Sequence, residues 1–238
     1  MPRSTELELL QGPIAPGESA IVFRSDRDPT KQRSLWEKQD YAGCPHGIAP
    51  ALAVDFATLD SAIGDAFPLK SNVPVGVTSM YPYGGATSHI PSATLVFPVS
   101  AWAKEHVIVN GWESGVADPT TQIYASEDET EITIIGTKAI RNGNGFIGAA
   151  AGMPTKINLS KGQFAQIIQV EELTGSVVTS NKPTITVGGN VCAVVPDRNQ
   201  GACDSLAQQI PPYEQWGSEY VGVSYRPRPK DGDELVWY

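Results

Sequence analysis

The sequence Ser180-Asn-Lys-Pro-Thr-Ile-Thr-Val-Gly-Gly189 contains one of the candidate strands together with residues typical of turns. Its centre, 184–187, is a short β-branched run, and such residues favour extended backbone. Pro183 before the run and the Gly pair after it are residues that mark turns. The stretch therefore predicts a short strand between two turns.

Similar runs recur along the chain, each about five residues long and bounded by Gly, Pro, Asn or Asp. Residues 130–135 also alternate polar and apolar side chains, as a strand with one solvated face does. This pattern predicts an antiparallel all-β protein. The predicted strands are 19–23, 73–79, 93–98, 107–112, 121–125, 131–135, 164–170, 184–187 and 220–225. The acidic run 127–129 is predicted to be a hairpin turn, and short helices are predicted at 35–41 and 54–66.

Composition excludes several classes of function. The chain has 238 residues, of which 41% are hydrophobic and 18% charged, so it is long enough to bury a core and too apolar to be disordered. With 17 Lys and Arg against 26 Asp and Glu, the net charge is −9, which argues against nucleic-acid partners. No apolar run approaches the roughly 18 residues of a transmembrane helix, so direct membrane insertion is not expected.

An internal repeat organises the predicted strands. Ser71-Asn-Val-Pro74 recurs as Ser180-Asn-Lys-Pro183, and a Gly pair follows each copy. Further on, residues 98–109 align with residues 212–223, with Pro, Trp, Glu and two Val identical at the same five of twelve positions. The matched placement of Trp102 and Trp216 favours a role in the core.

The repeat predicts tandem antiparallel β modules packed as a sandwich, and a propeller-like arrangement of repeats is the alternative fold. The first module covers 1–112, with an insertion at 23–66. The second covers 113–238. The chain stops at Tyr238 inside an apolar pattern, so we expect the second module to be truncated and the chain to be a fragment of a longer one.

The second copy contains an enlarged loop. Between the Gly pair and the Pro, it has 22 residues (190–211), whereas the first copy has 12 (86–97). Cys192 and Cys203 lie in this expansion, which predicts a disulfide-closed loop that stabilises the fold by roughly 2–3 kcal/mol. Cys44, in the first insertion, is either free or paired outside this chain.

These features together resemble the N-terminal domain of the IgG Fc-binding protein family, in the versions found in large bacterial surface or secreted proteins. The resemblance spans roughly residues 67–225. Its motifs are Ser71–Val77, Tyr81-Pro-Tyr-Gly-Gly85, Ser92–Pro98, Trp102, Glu127-Asp128-x-Thr130, Thr174–Pro183, Gly188–Cys192, Cys203-Asp204, Pro211-Pro212, Trp216-Gly217 and Tyr220.

The resemblance implies an extracellular or cell-surface β-rich module that contains a disulfide and binds or adheres to a protein or glycan ligand. It implies no catalytic residues, cofactor or metal. As in other rigid β scaffolds, loops such as 79–92 and 188–211 are expected to supply the contacts. Tyr81 and Tyr83, which precede a Gly pair in the first of these loops, are the candidate ligand contacts.

The alternative functions are a carbohydrate-active or nucleotide-dependent enzyme and a structural spacer. Gly143-Asn-Gly-Phe-Ile-Gly148 has the spacing of a dinucleotide-binding loop, but no helix pattern follows it, so we interpret it as a hairpin loop. His46, His89 and His106 lack metal-ligand spacing. Cys44 beside His46 is the one candidate nucleophile with a base, and a structural or unpaired cysteine is favoured there.

Overall fold

The computed structural model describes residues 14–24, 58–81, 92–112, 117–194 and 203–222, and the regular secondary structure of these residues is β-strand apart from two short 3-10 helices. The predicted all-β, antiparallel, sandwich-like class is confirmed. The strands are β1 (Ala62–Asp65), β2 (Val77–Tyr81), β3 (Ser92–Val96), β4 (Ala103–Val107), β5 (Pro119–Ala125), β6 (Thr130–Ile135), β7 (Pro154–Leu159), β8 (Gln163–Ile168), β9 (Val177–Ala193) and β10 (Asp204–Ile210).

The central strand of the larger sheet is β9, which is 17 residues long and pairs with four other strands. Its N-terminal part, 177–184, lies between β6 and β4, and its C-terminal part, 184–193, lies between β5 and β10. The sheet has eight strands, and its main path is β1-β8-β5-β9-β6-β7. Residues 180–189 therefore lie in the central strand of the larger sheet.

The sheet bends along a line where three chain segments turn together. The segments are the β5–β6 connection (126–129), the β7–β8 connection (160–162) and residues 181–183 of β9. Pro183 cannot donate a hydrogen bond to a sheet ladder, and it falls where the ladder is interrupted. The predicted hairpin turn at 127–129 is therefore wrong: β5 and β6 both pair with β9 and not with each other.

Polar contacts hold this bend. The Lys161 N–H donates to Asp128 Oδ1 (3.0 Å), and the Lys182 ammonium donates to the Asp128 carbonyl. The Asn181 amide bridges two backbone groups, donating to the Glu129 carbonyl (3.1 Å) and accepting from the Glu131 N–H (2.9 Å). These contacts replace the ladder bonds that are missing at the bend.

The hydrophobic core fills the concave side of the bent sheet. Alternate residues of β5, β6 and β7 are buried, as strands with one inward face require. Loop residues close the remaining side of the core. The central members of this cluster are Ile123, Ile132, Ile134, Ile157, Ile167 and Val178 from the strands and Ile108, Ile140, Phe146 and Leu173 from loops.

A separate two-stranded sheet, β2–β3, lies against β10. The Thr94 hydroxyl donates to Gln208 Oε1 (3.2 Å), and the Phe97 N–H donates to Gln209 Oε1. Because β3 and β10 run in the same direction past these contacts, the strand ends at Tyr81 and Ala193 lie on the same side.

Several strand predictions differ from the structure. Residues 19–23 are not a strand, and 54–66 is not a helix in its described part, because β1 forms there and pairs with β8. The strand predicted at 107–112 is displaced to β4, and residues 220–222 are irregular. The sequence missed β7 and β10 as strands. The helix predicted at 35–41 lies outside the described residues.

The division into modules 1–112 and 113–238 stays a prediction. Its boundary falls between β4 and β5, and strands from both sides share the larger sheet. β1 hydrogen-bonds to β8, and β4 hydrogen-bonds to β9. β2 and β3 of the first segment form a sheet of their own.

Candidate functional site

Two turns of the chain have the same local structure. Pro98 and Pro212 each begin a three-residue 3-10 helix, and Trp102 and Trp216 each end one. The indole N–H donates to the carbonyl five residues earlier in both turns, at 3.3 Å in the first and 2.9 Å in the second. The two indoles stabilise the turns through these hydrogen bonds. The core role expected for the tryptophans is wrong, because Trp216 is 39% exposed.

The hairpins that lead into these turns also match. β2 pairs with β3, and the C-terminal part of β9 pairs with β10, with Val77 opposite Val96 and Thr186 opposite Ile210. Val96 and Ile210 each lie two residues before the proline of their turn. Ser71 lies six residues before Val77, as Ser180 lies six residues before Thr186. The sequence repeat and the hairpin register therefore agree at the Ser-Asn-x-Pro motif and at the Pro–Trp turn, whereas the Gly pairs do not correspond, because the register places Gly188 at the position of Ser79.

The tip of the β9–β10 hairpin carries the disulfide. The structure contains the predicted Cys192–Cys203 bond, with Cα atoms 5.0 Å apart. Next to it, the buried Asn190 amide donates to the carbonyls of Trp112 (2.8 Å) and Ala117 (3.0 Å) and accepts from the Cys192 N–H (2.9 Å). The base of this loop is thus fixed to the segment between β4 and β5.

The adjacent β2–β3 hairpin presents an exposed face, which we call the hairpin face. It consists of Thr78, Met80, Ala93 and Leu95, which face the same side because they occupy opposed positions in the pairing register. Met80 is 56% exposed and Leu95 53% exposed. Exposed apolar side chains that lie together on one face can form part of an interaction surface.

The sequence reasoning missed the hairpin face. It singled out Tyr81 and Tyr83 instead, which stay predicted contacts. Tyr81 ends β2 opposite Ser92, at the tip shared with the disulfide, and Tyr83 lies outside the described residues. The signal that was available is the alternation in Ala93-Thr-Leu95, but only the tertiary position of β10 decides which side of the hairpin is exposed.

His106 of β4 is a structural residue. Its side chain is 1% exposed, and its Nε2 lies 3.1 Å from both the Ala103 carbonyl and the Thr184 hydroxyl. Because a carbonyl only accepts, Nε2 carries the proton. Burial lowers the pKa of His106 below the usual 6.5, which outweighs the opposing effect of the Ala103 hydrogen bond. The strand position expected from its alignment with Tyr220 is confirmed.

The buried imidazole predicts a loss of stability in mild acid. The folded-state pKa of His106 lies below its unfolded-state value of about 6.5, so its contribution is fully present above that pH and falls as the pH drops towards the folded-state pKa. His106→Gln removes this titration. In urea unfolding between pH 7.5 and 5.5, we expect the wild-type free energy of unfolding to fall more than that of the variant. Parallel pH profiles would contradict the prediction.

The Gly143–Gly148 segment forms a tight loop, as predicted. The Gly143 and Phe146 backbones exchange hydrogen bonds (3.1 and 3.3 Å), and the Phe146 ring is buried in the core cluster. A Cβ on Gly148 would lie 1.9 Å from the Ile140 carbonyl oxygen. These glycines serve close packing within the protein, and no helix follows them to receive a phosphate.

The bend of the sheet contains a shallow depression of about 390 Å³. It is lined by Glu129, Glu131, Asn158, Asn181 and Lys182. The Asn181 amide and the Lys182 ammonium are already engaged in the contacts that hold the bend. We therefore assign no ligand to it.

Other predicted chemistry is not assembled in the described ranges. Cys44, His46 and His89 lie outside them. Within them, no group of three or more His, Cys, Asp or Glu side chains is placed to hold a metal ion. Among the same residues, no helix has the length and apolar character needed to cross a membrane.

The fold and the disulfide define a class of protein: an antiparallel β module that contains a disulfide. Residues 92–238, more than half of the chain, match the model of the family described as IgGFc binding protein. The chain belongs to this family, as its sequence motifs predicted. No curated protein and no solved structure matches it significantly.

Proposed function

We propose that this chain is a non-enzymatic, extracellular binding or adhesion module of a larger surface or secreted protein. Membership of a family of binding proteins supports recognition of a protein ligand. The observation that carries the proposal is the hairpin face, where two large apolar side chains, Met80 and Leu95, are more than half exposed. Burial of an exposed apolar side chain against a partner contributes favourable free energy to binding.

The disulfide supports the extracellular part of the proposal. Disulfides persist in oxidising compartments and are rare in the cytosol. The Cys192–Cys203 bond closes the β9–β10 hairpin, whose strand β10 packs against the side of the β2–β3 sheet opposite the hairpin face.

The test is a binding experiment on the purified oxidised chain. The immobilised chain is probed with an IgG Fc fragment and with an array of extracellular proteins and glycans. We expect a ligand whose affinity falls at least tenfold in the double variant Met80→Asp/Leu95→Asp, because two apolar contacts are replaced by charges that must be desolvated.

The matched control is Met153→Asp/Val170→Asp, which makes the same change at exposed apolar positions away from the hairpin. It should bind like the wild type. An equal loss of affinity in both double variants would contradict the proposed site. Failure to bind the Fc fragment and every arrayed protein and glycan would also contradict it and would favour a structural spacer. Turnover of any arrayed substrate that disappears on changing Cys44 or His46 would contradict the non-enzymatic assignment.

A further inference from the structure

The strand that follows the first Pro–Trp turn is β4, and it joins the sheet by pairing with β9, a strand of the second copy. After Trp102, the chain continues directly into β4, which pairs with the N-terminal part of β9. In this register, Glu105 lies opposite Thr179, and His106 lies opposite Val178. Both His106 and Val178 are buried there. We call this β4–β9 pairing the internal joint.

The equivalent segment after the second turn is exposed. Residues 217–221 follow Trp216 as 103–107 follow Trp102, and they share Glu and Val at matching positions. Tyr220, which corresponds to the buried His106, is 74% exposed, and Val221 is 90% exposed. Within the described part of the chain, no strand pairs with this segment.

The equivalent of the receiving strand is exposed too. In the matched hairpin register, residues 68–75 precede β2 as residues 177–184 precede the C-terminal part of β9. All eight side chains of 68–75 are exposed, among them Leu69, Val73 and Val75. One molecule therefore carries both segments needed for a second pairing of this kind, 217–221 and 68–75. Neither segment is paired with a strand among the described residues.

We propose that residues 217–221 of one copy pair with residues 68–75 of a second copy and reproduce the internal joint between molecules. Transferring the β4–β9 register places Gly217 opposite Val75, Glu219 opposite Lys70, Tyr220 opposite Leu69 and Val221 opposite Pro68. The joint is head-to-tail, so each added copy offers a new free segment at both ends.

The transferred register is chemically consistent. It places a carboxylate against an ammonium, at Glu219 and Lys70, where the internal joint has Glu105 against an exposed Thr. It also pairs the exposed rings and chains of Tyr220 and Leu69, at the positions that are buried in the internal joint. Opposite charges and aromatic–aliphatic pairs directly across an antiparallel ladder are both stabilising.

A local change accompanies the pairing. In the single copy, the Gly217 N–H donates to the Tyr220 hydroxyl at 2.6 Å, which folds the segment onto itself. An extended strand gives up this one exposed hydrogen bond and gains ladder bonds with the second copy. The pairing involves residues 217–221 and 68–75 and not the hairpin face, so it leaves that face free to bind a ligand.

The test measures self-association of the whole chain by sedimentation velocity over a hundredfold range of concentration. We expect wild-type chains to form oligomers that grow with concentration. Glu219→Lys and Lys70→Glu should each weaken association by roughly tenfold, because each places like charges directly opposite one another. A mixture of the two variants, or the double variant, should restore it, because each joint then again has one charge of each sign.

Lys138→Glu, a change of the same charge at an exposed position outside the joint, should associate like the wild type. A chain that stays monomeric at every concentration would overturn the proposal. Association that the two single variants leave unchanged, or that their mixture fails to restore, would overturn it as well.

Discussion

Gly188→Ala should destabilise the protein by about 3 kcal/mol, a large part of the roughly 5–15 kcal/mol that keeps an ordinary domain folded. A Cβ at this position would lie 1.7 Å from the Val109 carbonyl oxygen. That oxygen belongs to the backbone of the segment after β4, which crosses β9 at this point. Neither strand nor segment can move aside without breaking hydrogen bonds, so the added methyl must displace one of them.

The matched control is Gly76→Ala. Gly76 has open space around its Cβ position and is exposed. The substitution should change the free energy of unfolding by no more than about 0.5 kcal/mol. Urea unfolding of both variants measures the difference. Similar stabilities for Gly188→Ala and Gly76→Ala would show that the segment after β4 does not approach β9 as described.

Asn190→Ala should have the next largest effect, a loss of roughly 3 kcal/mol. Asn190 is 1% exposed, and its amide makes three hydrogen bonds, to two carbonyls and one N–H. The alanine variant removes three hydrogen bonds to partly buried backbone groups, and each loss costs on the order of 1 kcal/mol.

Asn158→Ala provides the comparison, because Asn158 is exposed on β7. Thermal or urea unfolding should show a small change there and a large one at position 190. Hydrogen exchange adds a local readout: the amide of Cys192, which donates to Asn190 Oδ1, should lose protection in Asn190→Ala. Unchanged protection at Cys192 would contradict the role given to the amide.

Much of the sheet could be predicted from the sequence, and the failures have physical causes. The alternation at 130–135 predicted β6, because one face of that strand is in the core. β10 was missed, since its sequence, Asp204-Ser-Leu-Ala-Gln-Gln-Ile210, has few β-branched residues, and its position is set by β9. β1 reads as a weak helix, because only its pairing with β8 decides its structure.

The length of β9 could not be predicted either. Pro183 and the Gly pair look like strand ends in the sequence, and the predicted strand was therefore 184–187. In the structure, the proline lies at the bend of the sheet, and Gly188 gives room for a crossing segment. Both residues interrupt the local pattern for tertiary reasons, and the strand continues through them.

At the candidate site, the disulfide was predictable and the hairpin face was not. The comparison of the two copies isolated Cys192 and Cys203 in one expansion, which is a local signal. The exposure of Met80 and Leu95 depends on β10 lying against the opposite side of the hairpin. A pattern of alternation shows that a strand has two faces, but it does not show which face meets solvent.

The central position of β9 also determines when the sheet can form during synthesis of the chain. β4, β5 and β6 all leave the ribosome before residues 177–193, the strand with which all three pair. Until β9 emerges, these strands have open edges, and such edges are aggregation-prone. The nascent chain therefore cannot complete its sheet until residues 177–193 have been synthesised. Closure of the sheet and formation of the Cys192–Cys203 disulfide are then late steps of folding.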